Sequence, residues 1–161
     1  MIFVTVGTMA FSRLIEKMDE IAGEIDEPIV MQIGHTKYTC KNAKCFQFMN
    51  YKDIINLFRQ ARVIVCHDGT GTIITAIQFN KPIIAVPRLK KYGELYYNNK
   101  GEFIDALASK GMVRAVHNLD ELDSSLKIVD SAVAYVNSDD SKSLINVLSE
   151  YIKQIQTQED Y

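Results

Sequence analysis

Val63-Ile-Val-Cys-His-Asp-Gly-Thr-Gly-Thr72 begins the stretch that decides the fold of this 161-residue chain. The β-branched run at its start is followed by Gly69 and Gly71, helical residues continue to Asn80, and a second apolar strand ends at Pro87. This order of strand, glycine-rich turn, helix and strand is typical of a βαβ unit. The N-terminus of the helix in such a unit offers unpaired N–H groups and partial positive charge to an anion. We therefore expect the functional surface at this turn.

Strands and helices alternate through the rest of the chain. Further strands are expected at Ile2–Val6, Ile29–Ile33, Cys45–Met49 and Met112–Val116, and further helices at about Phe11–Ala22, Tyr51–Ala61, Leu95–Lys110, Asp120–Val129 and 141–156, the last with an apolar stripe over Leu144–Ile155. The stretch from His35 to Lys44 is polar and aperiodic, which predicts a loop. The pattern predicts an α/β fold, a doubly wound parallel sheet of the Rossmann type in one domain over residues 1–161.

Composition excludes several classes of protein. A net charge of −2 gives no basic surplus for nucleic acid, and no apolar run is long enough for a membrane span. The N-terminus lacks the basic region of a signal peptide, so we expect a cytosolic protein. The three cysteines are not at metal spacing, and we expect three reduced thiols and no zinc.

The turns after the strands carry the candidate site residues. Three turns directly follow predicted strands: Gly7-Thr8, Gly34 and the turn from His67 to Thr72. Because the carboxyl ends of parallel strands lie at one edge of the sheet, these turns should gather on one rim. One interpretation is that Gly69, Thr70, Gly71 and Thr72 cradle a diphosphate; the other is a plain turn with a threonine capping the helix. The turn is neither G-x-G-x-x-G, since residue 74 is Ile, nor a Walker A loop.

Two neighbouring features can likewise be interpreted as functional or as structural. His67 precedes the turn; in a functional role it orients a phosphate or sugar or acts as a base, and in a structural role it holds the loop backbone by hydrogen bonds. The basic loop Arg88–Glu94 follows the next strand and either faces an anionic ligand or is a solvated charged loop.

Several motifs together resemble one family. The resemblance is carried by five segments: Val63–Ile74, Asn80–Arg88, Lys91–Glu94, the opening Phe3–Thr8 and the segment around Arg13. In order and spacing they resemble the C-terminal, nucleotide-sugar-binding domain of glycosyltransferase family 28. The match covers about the first two-thirds to three-quarters of the chain. It implies the C-terminal half of a GT-B enzyme, like the split members in which a membrane-associated partner supplies the acceptor half.

The resemblance implies roles for individual residues. The donor-binding residues would be Gly7, Thr8, His67, Gly69, Thr70, Gly71, Thr72, Thr75, Arg88, Glu94, Asn99 and Lys100. Thr75 stands where the family often has an acidic residue that binds ribose hydroxyls. Asn99 and Lys100 stand where the family favours a His-Gln pair. His67 is the candidate for a catalytic role, and no metal is expected.

The implied activity is inverting transfer of a sugar from UDP-N-acetylglucosamine or another UDP-hexose to a lipid-linked acceptor in polysaccharide biosynthesis. The UDP-sugar is a substrate, and no further cofactor is implied. The chain would be cytoplasmic, peripheral to the membrane through its partner, and a homo-oligomer is also open. Two alternatives remain: a sugar-nucleotide epimerase or hydrolase, and a non-catalytic nucleotide-sugar-binding or scaffold protein. The departures from the family pattern at Thr75, Asn99 and Lys100 keep the scaffold alternative open.

Overall fold

The computed structural model describes residues 1–96, 101–129 and 149. Its strands are β1 (Ile2–Thr5), β2 (Ile29–Gln32), β3 (Lys44–Phe46), β4 (Val63–His67), β5 (Ile83–Val86) and β6 (Arg114–Ala115). Its helices are α1 (Ser12–Glu24), α2 (Tyr51–Gln60), α3 (Thr70–Gln78), α4 (Glu102–Ser109) and α5 (Leu122–Ile128), with 3₁₀ turns at Lys90–Tyr92 and Leu119–Glu121. The strands form one parallel sheet in the order β3-β2-β1-β4-β5-β6. This confirms the predicted doubly wound α/β fold.

Helices cover both faces of the sheet, so the strands are buried on both sides. Alternate residues of β1 point in opposite directions: Val4 joins a core with Leu14 of α1, whereas Phe3 joins a second core with Ile73 of α3. The Phe3 ring packs edge-on against Phe58 of α2 with ring centroids 5.3 Å apart. Burial on both faces explains why these strands read as continuous β-branched and aromatic runs.

The strand order reverses between β1 and β4. The chain leaves β1 into α1, which packs in one core, and leaves β4 into α3, which packs in the other. The two connections therefore diverge from neighbouring strand ends towards opposite faces of the sheet. In doubly wound sheets this switch point is where ligands bind.

The edge strand β3 is held in place by a disulfide and a buried carboxylate. Cys40 and Cys45 are joined across a Cα–Cα distance of 6.2 Å, so the expectation of three reduced thiols is wrong. Cys66 is the free cysteine and is buried. Asp19 of α1, only 1% exposed, accepts backbone hydrogen bonds from residues 41, 42 and 43 at 2.8 to 3.0 Å. The sequence showed that this stretch was polar but not which partner would satisfy its N–H groups.

Element boundaries differ from the predicted ones where local backbone geometry intervenes. Helix α4 begins at Glu102 and not at Leu95, because Gly101 precedes it at φ +82°. That glycine is required, since a Cβ there would lie 2.6 Å from His117 Cε1. Gly111, at φ +71°, follows the last turn of the same helix as predicted.

The other shifts are small. Strand β3 runs over Lys44–Phe46 and not Cys45–Met49, β6 is limited to Arg114–Ala115, and the helix predicted from Asp120 begins as a 3₁₀ turn. The predicted terminal helix over Leu144–Ile155 lies outside the described residues apart from Ser149. No helix in the described part of the chain combines the length and hydropathy needed to cross a membrane.

Candidate functional site

The loops after β1, β2 and β4 meet at one rim of the sheet, as predicted. Gly7 has φ +64°, and a Cβ placed there would lie 3.0 Å from His67 Cε1. A Cβ on Gly34 would lie 2.6 Å from the carbonyl oxygen of Gly7, and the backbone N–H of His35 donates to Thr8 O at 3.0 Å. The glycines are thus needed because the three loops approach one another without room for side chains.

The imidazole of His67 fills the space between two glycines of neighbouring loops. A Cβ on Gly69 would lie 2.0 Å from its Nε2, and one on Gly7 would lie 3.0 Å from its Cε1. The ring nitrogen Nδ1 is 3.4 Å from the carbonyl oxygen of Thr5, which requires the proton on Nδ1 if the two are hydrogen-bonded. The ring therefore connects the loop after β1 to the turn after β4.

His67 is neutral near physiological pH. Burial lowers the pKa of His67 to about 4, with the nearby Arg88 guanidinium as a second cause, and the hydrogen bond to Thr5 only partly opposes them. A neutral imidazole cannot supply positive charge to a phosphate. It is also a weak base at neutral pH, because efficient general bases have pKa values near the working pH.

The positive end of α3 is open at this rim. Gly69 is the N-cap and provides no side-chain hydrogen bond, and the first turn from Thr70 contains no acidic residue. The alternative of a threonine-capped helix start is therefore wrong. Thr70 and Gly71 are exposed, and nothing lies within 4 Å of the position a Cβ would take on Gly71. The N–H groups of this turn and the helix dipole can together hold an anion.

Thr75 lies one turn further along α3, on the same side as Gly71. Its hydroxyl donates to the carbonyl oxygen of Gly71 at 2.8 Å. That bond uses the hydroxyl proton within the helix and leaves the oxygen as an acceptor. Thr75 can thus accept from a ligand hydroxyl, whereas a carboxylate at this position would offer more acceptor sites and a charge.

Arg88 lies beneath the loop after β1 and is only 4% exposed. Its guanidinium donates to the carbonyl oxygens of Val6 at 2.7 Å, Met9 at 3.2 Å and Ala10 at 3.4 Å, and it stacks over the ring of Phe11 at 5.0 Å. These contacts fix the conformation of the Gly7-Thr8 loop. A direct contact between Arg88 and a ligand stays a prediction.

Glu94 folds its loop back onto α1. Its carboxylate, 8% exposed, accepts from Arg13 Nε at 2.9 Å and Nη2 at 3.1 Å, and from the backbone N–H of Leu89 at 2.8 Å. Arg13 also donates to the carbonyl oxygen of Pro87 at 3.0 Å and stacks over Tyr92 at 4.6 Å. A shallow cavity of about 560 Å³ lies beside this pair, on the outer side of α1.

Sequence reasoning did not identify Arg13 as a site residue, because its partner is 81 residues away. The sequence around Arg13 offered one local indication of a special role, namely that this charged residue lies in the first turn of α1 directly before the apolar pair Leu14-Ile15. Asn99 and Lys100, two predicted donor contacts, lie outside the described residues. Within the described part of the chain, no group of three or more His, Cys, Asp or Glu side chains is placed to hold a metal ion.

Comparison with known proteins gives a family and a fold. The model of the glycosyltransferase family 28 C-terminal domain matches residues 1–158. The UDP-N-acetylglucosamine transferase subunit ALG13 of Debaryomyces hansenii is 28% identical over 111 residues, which are 69% of this chain and 50% of that protein. This chain thus spans about half the length of that relative.

Solved structures share the fold at lower identity. The glycosyltransferase of kitacinnamycin superposes with a TM-score of 0.60 at 18% identity, over 91% of this chain and 37% of that one. The solution structure of ALG13 gives a TM-score of 0.57 at 18% identity, over 81% of this chain and 85% of that one.

Proposed function

This chain belongs to the glycosyltransferase family 28 C-terminal domain family, and from that premise we propose that it binds the UDP-sugar donor of a glycosyltransferase. The observation that carries the proposal is the open N-terminus of α3 at the switch point between β1 and β4. A nucleoside diphosphate carries the negative charge that this end of a helix favours. The name of the Debaryomyces relative supports a UDP-sugar, and UDP-N-acetylglucosamine or another UDP-hexose is the donor we propose.

In the proposed reaction an acceptor hydroxyl attacks the anomeric carbon of the donor, and the bond from that carbon to the diphosphate breaks. The leaving UDP gains negative charge, which the N–H groups of Thr70, Gly71 and Thr72 would stabilise without a metal ion. Attack from the face opposite the diphosphate inverts the anomeric configuration. The pKa of about 4 makes His67 a poor match for the base that removes the acceptor proton. We propose that this base lies on the chain that supplies the acceptor half.

We further propose a heteromeric, membrane-associated enzyme. The related ALG13 protein is named a transferase subunit, which supports the existence of a partner chain. We propose that this partner supplies the acceptor half and that the acceptor is lipid-linked. The proposed location is the cytoplasmic side of a membrane, reached through that partner, in polysaccharide biosynthesis.

Calorimetric titration with UDP and UDP-N-acetylglucosamine tests the donor site. Gly71→Asp places a carboxylate at the open helix end, where it satisfies the dipole and repels a diphosphate, while the space around Gly71 lets the fold accept it. We expect binding by the wild-type chain and at least about a tenfold loss in Gly71→Asp. Gln78→Asp adds the same charge at the other end of α3 and should bind as the wild type does.

Each outcome separates the alternatives. Equal affinity of Gly71→Asp and Gln78→Asp for UDP would place the donor away from the α3 turn. If the wild-type chain binds no UDP, either alone or with its partner, the scaffold alternative is favoured. Co-expression with a membrane partner then distinguishes a transferase from an epimerase or hydrolase, because only the transferase should gain activity with the acceptor half.

A further inference from the structure

The Cys40–Cys45 disulfide lies near the surface of the protein, at the outer edge of the sheet. Both cysteines are half-buried, and residues 41, 42 and 44 of the turn between them are exposed. Cys45 belongs to β3, the edge strand of the described sheet. Both ends of the bridge are therefore partly open to solvent, and a small thiol in solution has access to them in the folded chain.

The third cysteine has the opposite environment. Cys66 lies in β4, is 0% exposed and carries a free thiol. Burial raises the pKa of the Cys66 thiol, which disfavours the thiolate, and the thiolate is the form that reacts in thiol–disulfide exchange. Thiol chemistry of the folded chain is therefore confined to the Cys40–Cys45 pair.

The turn between the paired cysteines is held by hydrogen bonds that do not involve the sulfur atoms. The buried carboxylate of Asp19 accepts from the backbone N–H groups of residues 41, 42 and 43 at 2.8, 3.0 and 2.8 Å. The side-chain amide of Asn42 donates to the carbonyl oxygen of Asp19 at 2.9 Å, and strand pairing sets Cys45 beside Met31 of β2. These contacts should keep the two thiols within reach of each other when the S–S bond is broken.

The bridge itself adds little constraint to the chain. Only residues 41–44 lie between the two cysteines, and a disulfide restricts the unfolded chain less when the loop that it closes is shorter. Thiols in the cytoplasm are kept reduced, and the disulfides that form there are usually transient and serve catalysis or redox sensing. This second argument rests on the cytoplasmic location in the proposed function, whereas the hydrogen bonds and the exposure do not.

We propose that Cys40 and Cys45 form a reversible redox site whose reaction partner is a low-molecular-weight thiol of the glutathione type. The thiolate of the partner attacks one sulfur of the bridge, the S–S bond breaks, and a mixed disulfide forms while the other cysteine leaves as a thiolate. A second partner thiolate attacks the mixed disulfide, releases the remaining cysteine and departs with the first as their own disulfide. Two electrons and two protons thus pass from two partner thiols to the protein, and the reverse sequence restores the bridge.

Reduction should act on the edge of the sheet and not on the candidate donor site. The bridge is the covalent tie at the amino end of β3, which is three residues long. Two strands, β2 and β1, lie between β3 and the strand that leads into the α3 turn. We therefore expect faster hydrogen exchange of the β3 amides in the reduced chain and an unchanged affinity for UDP.

Titration of the folded chain in buffers of reduced and oxidised glutathione tests the proposal. After an acid quench the chain is denatured and alkylated with N-ethylmaleimide, so the oxidised form gains one adduct, on Cys66, and the reduced form gains three. We expect one reversible step of two adducts within the range of glutathione ratios found in cytoplasm. Cys66→Ser should keep this two-adduct step, and Cys45→Ser should lose it.

Variants of the carboxylate test whether it holds the thiols in position. Asp19→Asn weakens the hydrogen bonds to the turn and lowers the effective concentration of one thiol at the other, so reduction should occur at a roughly tenfold lower glutathione ratio. Tyr38→Phe removes the 3.1 Å hydrogen bond to Asp19 Oδ2 and should shift the ratio in the same direction by less, with a smaller risk to the fold. Asp26→Asn, the matched control, removes an exposed carboxylate and should leave the ratio unchanged.

Two results would overturn the proposal. A bridge that glutathione reduces only in denaturant, or whose reduction unfolds the chain in circular dichroism, would be a structural disulfide. A pair that stays reduced at every glutathione ratio would be two ordinary thiols. UDP titration of both forms keeps the donor proposal separate, because a failure of both forms to bind UDP counts against the donor site and leaves the redox result as it stands.

Discussion

Burial lowers the pKa of His67 to about 4, which makes folding stability depend on pH. The unfolded chain has a histidine pKa of about 6.5, so it takes up a proton first as the pH falls. The contribution of His67 to the free energy of unfolding is therefore fully present above about pH 6.5 and is lost as the pH falls towards 4. At pH 5 the free energy of unfolding should be lower by about 2 kcal/mol than at neutral pH. Chemical denaturation between about pH 7.5 and 5 measures this loss. We expect His67→Gln to flatten the profile, because the amide stays neutral.

Two comparisons isolate the contribution of His67. His35→Gln removes an exposed imidazole and should keep the wild-type slope. The hydrogen bond from Arg62 lowers the pKa of Glu27. The Glu27 carboxylate therefore loses its contribution to folding stability at a lower pH than His67 does. An equal slope in the wild type and His67→Gln would show that the ring is not held neutral by burial.

The two glycines of the α3 turn should respond in opposite directions to alanine. Gly69→Ala places a Cβ 2.0 Å from His67 Nε2 and should cost about 1–3 kcal/mol, since the ring is held between two loops. Gly71→Ala meets no atom within 4 Å in an exposed helical turn and should stabilise the fold by up to about 1 kcal/mol. Urea denaturation of both variants measures the difference. A loss of stability in Gly71→Ala would contradict the open space at that position.

At the scale of elements, the Arg13–Glu94 pair fixes the loop after β5 to the start of α1. The pair is bidentate and its carboxylate is 8% exposed, so breaking it leaves a buried charge with one fewer partner. A double-mutant cycle of Arg13→Gln and Glu94→Gln should give a coupling of about 1–3 kcal/mol in urea denaturation. The Lys17–Glu20 pair on the same helix is 3.4 Å apart and exposed, and its cycle should give less than about 0.5 kcal/mol. Equal couplings would mean that the loop is held by other contacts.

Elements whose signals are local could be predicted from the sequence. The glycine-rich connection after β4 could be located because a β-branched run and two glycines define it within ten residues. Its bounds were too wide, since β4 includes His67 and α3 begins at Thr70. The positions of Arg88 and Glu94 on the loop after β5 were also right. Their contacts could not be predicted, because they depend on Val6, Met9 and Arg13, which only the folded chain brings near. The Cys40–Cys45 disulfide likewise depends on how Asp19 and β2 position the edge strand.

At the scale of the whole molecule, the site belongs to neither half of the sheet alone. The loop after β1 is held from below by Arg88, which follows β5, and is joined to the turn after β4 by the His67 ring. A ligand at this switch point would contact both connections as they diverge towards opposite faces. Ligand binding should therefore change the environment of residues in both the loop after β1 and the turn after β4.

Amide chemical shifts can test this joint response. Titration with UDP-N-acetylglucosamine should shift amides in both the 7–10 and 69–73 stretches with one common affinity, because a diphosphate bound at the end of α3 would lie against the loop after β1. Amides at the opposite edge of the sheet, such as those of Arg62 and Lys81, should not move, since their hydrogen bonds to Met1 and Ala76 lie a strand length away. Shifts confined to residues 69–73 would mean that the loop after β1 contributes only structure. Shifts at the opposite edge alone would place the ligand away from the switch point and remove the geometric basis for the donor site.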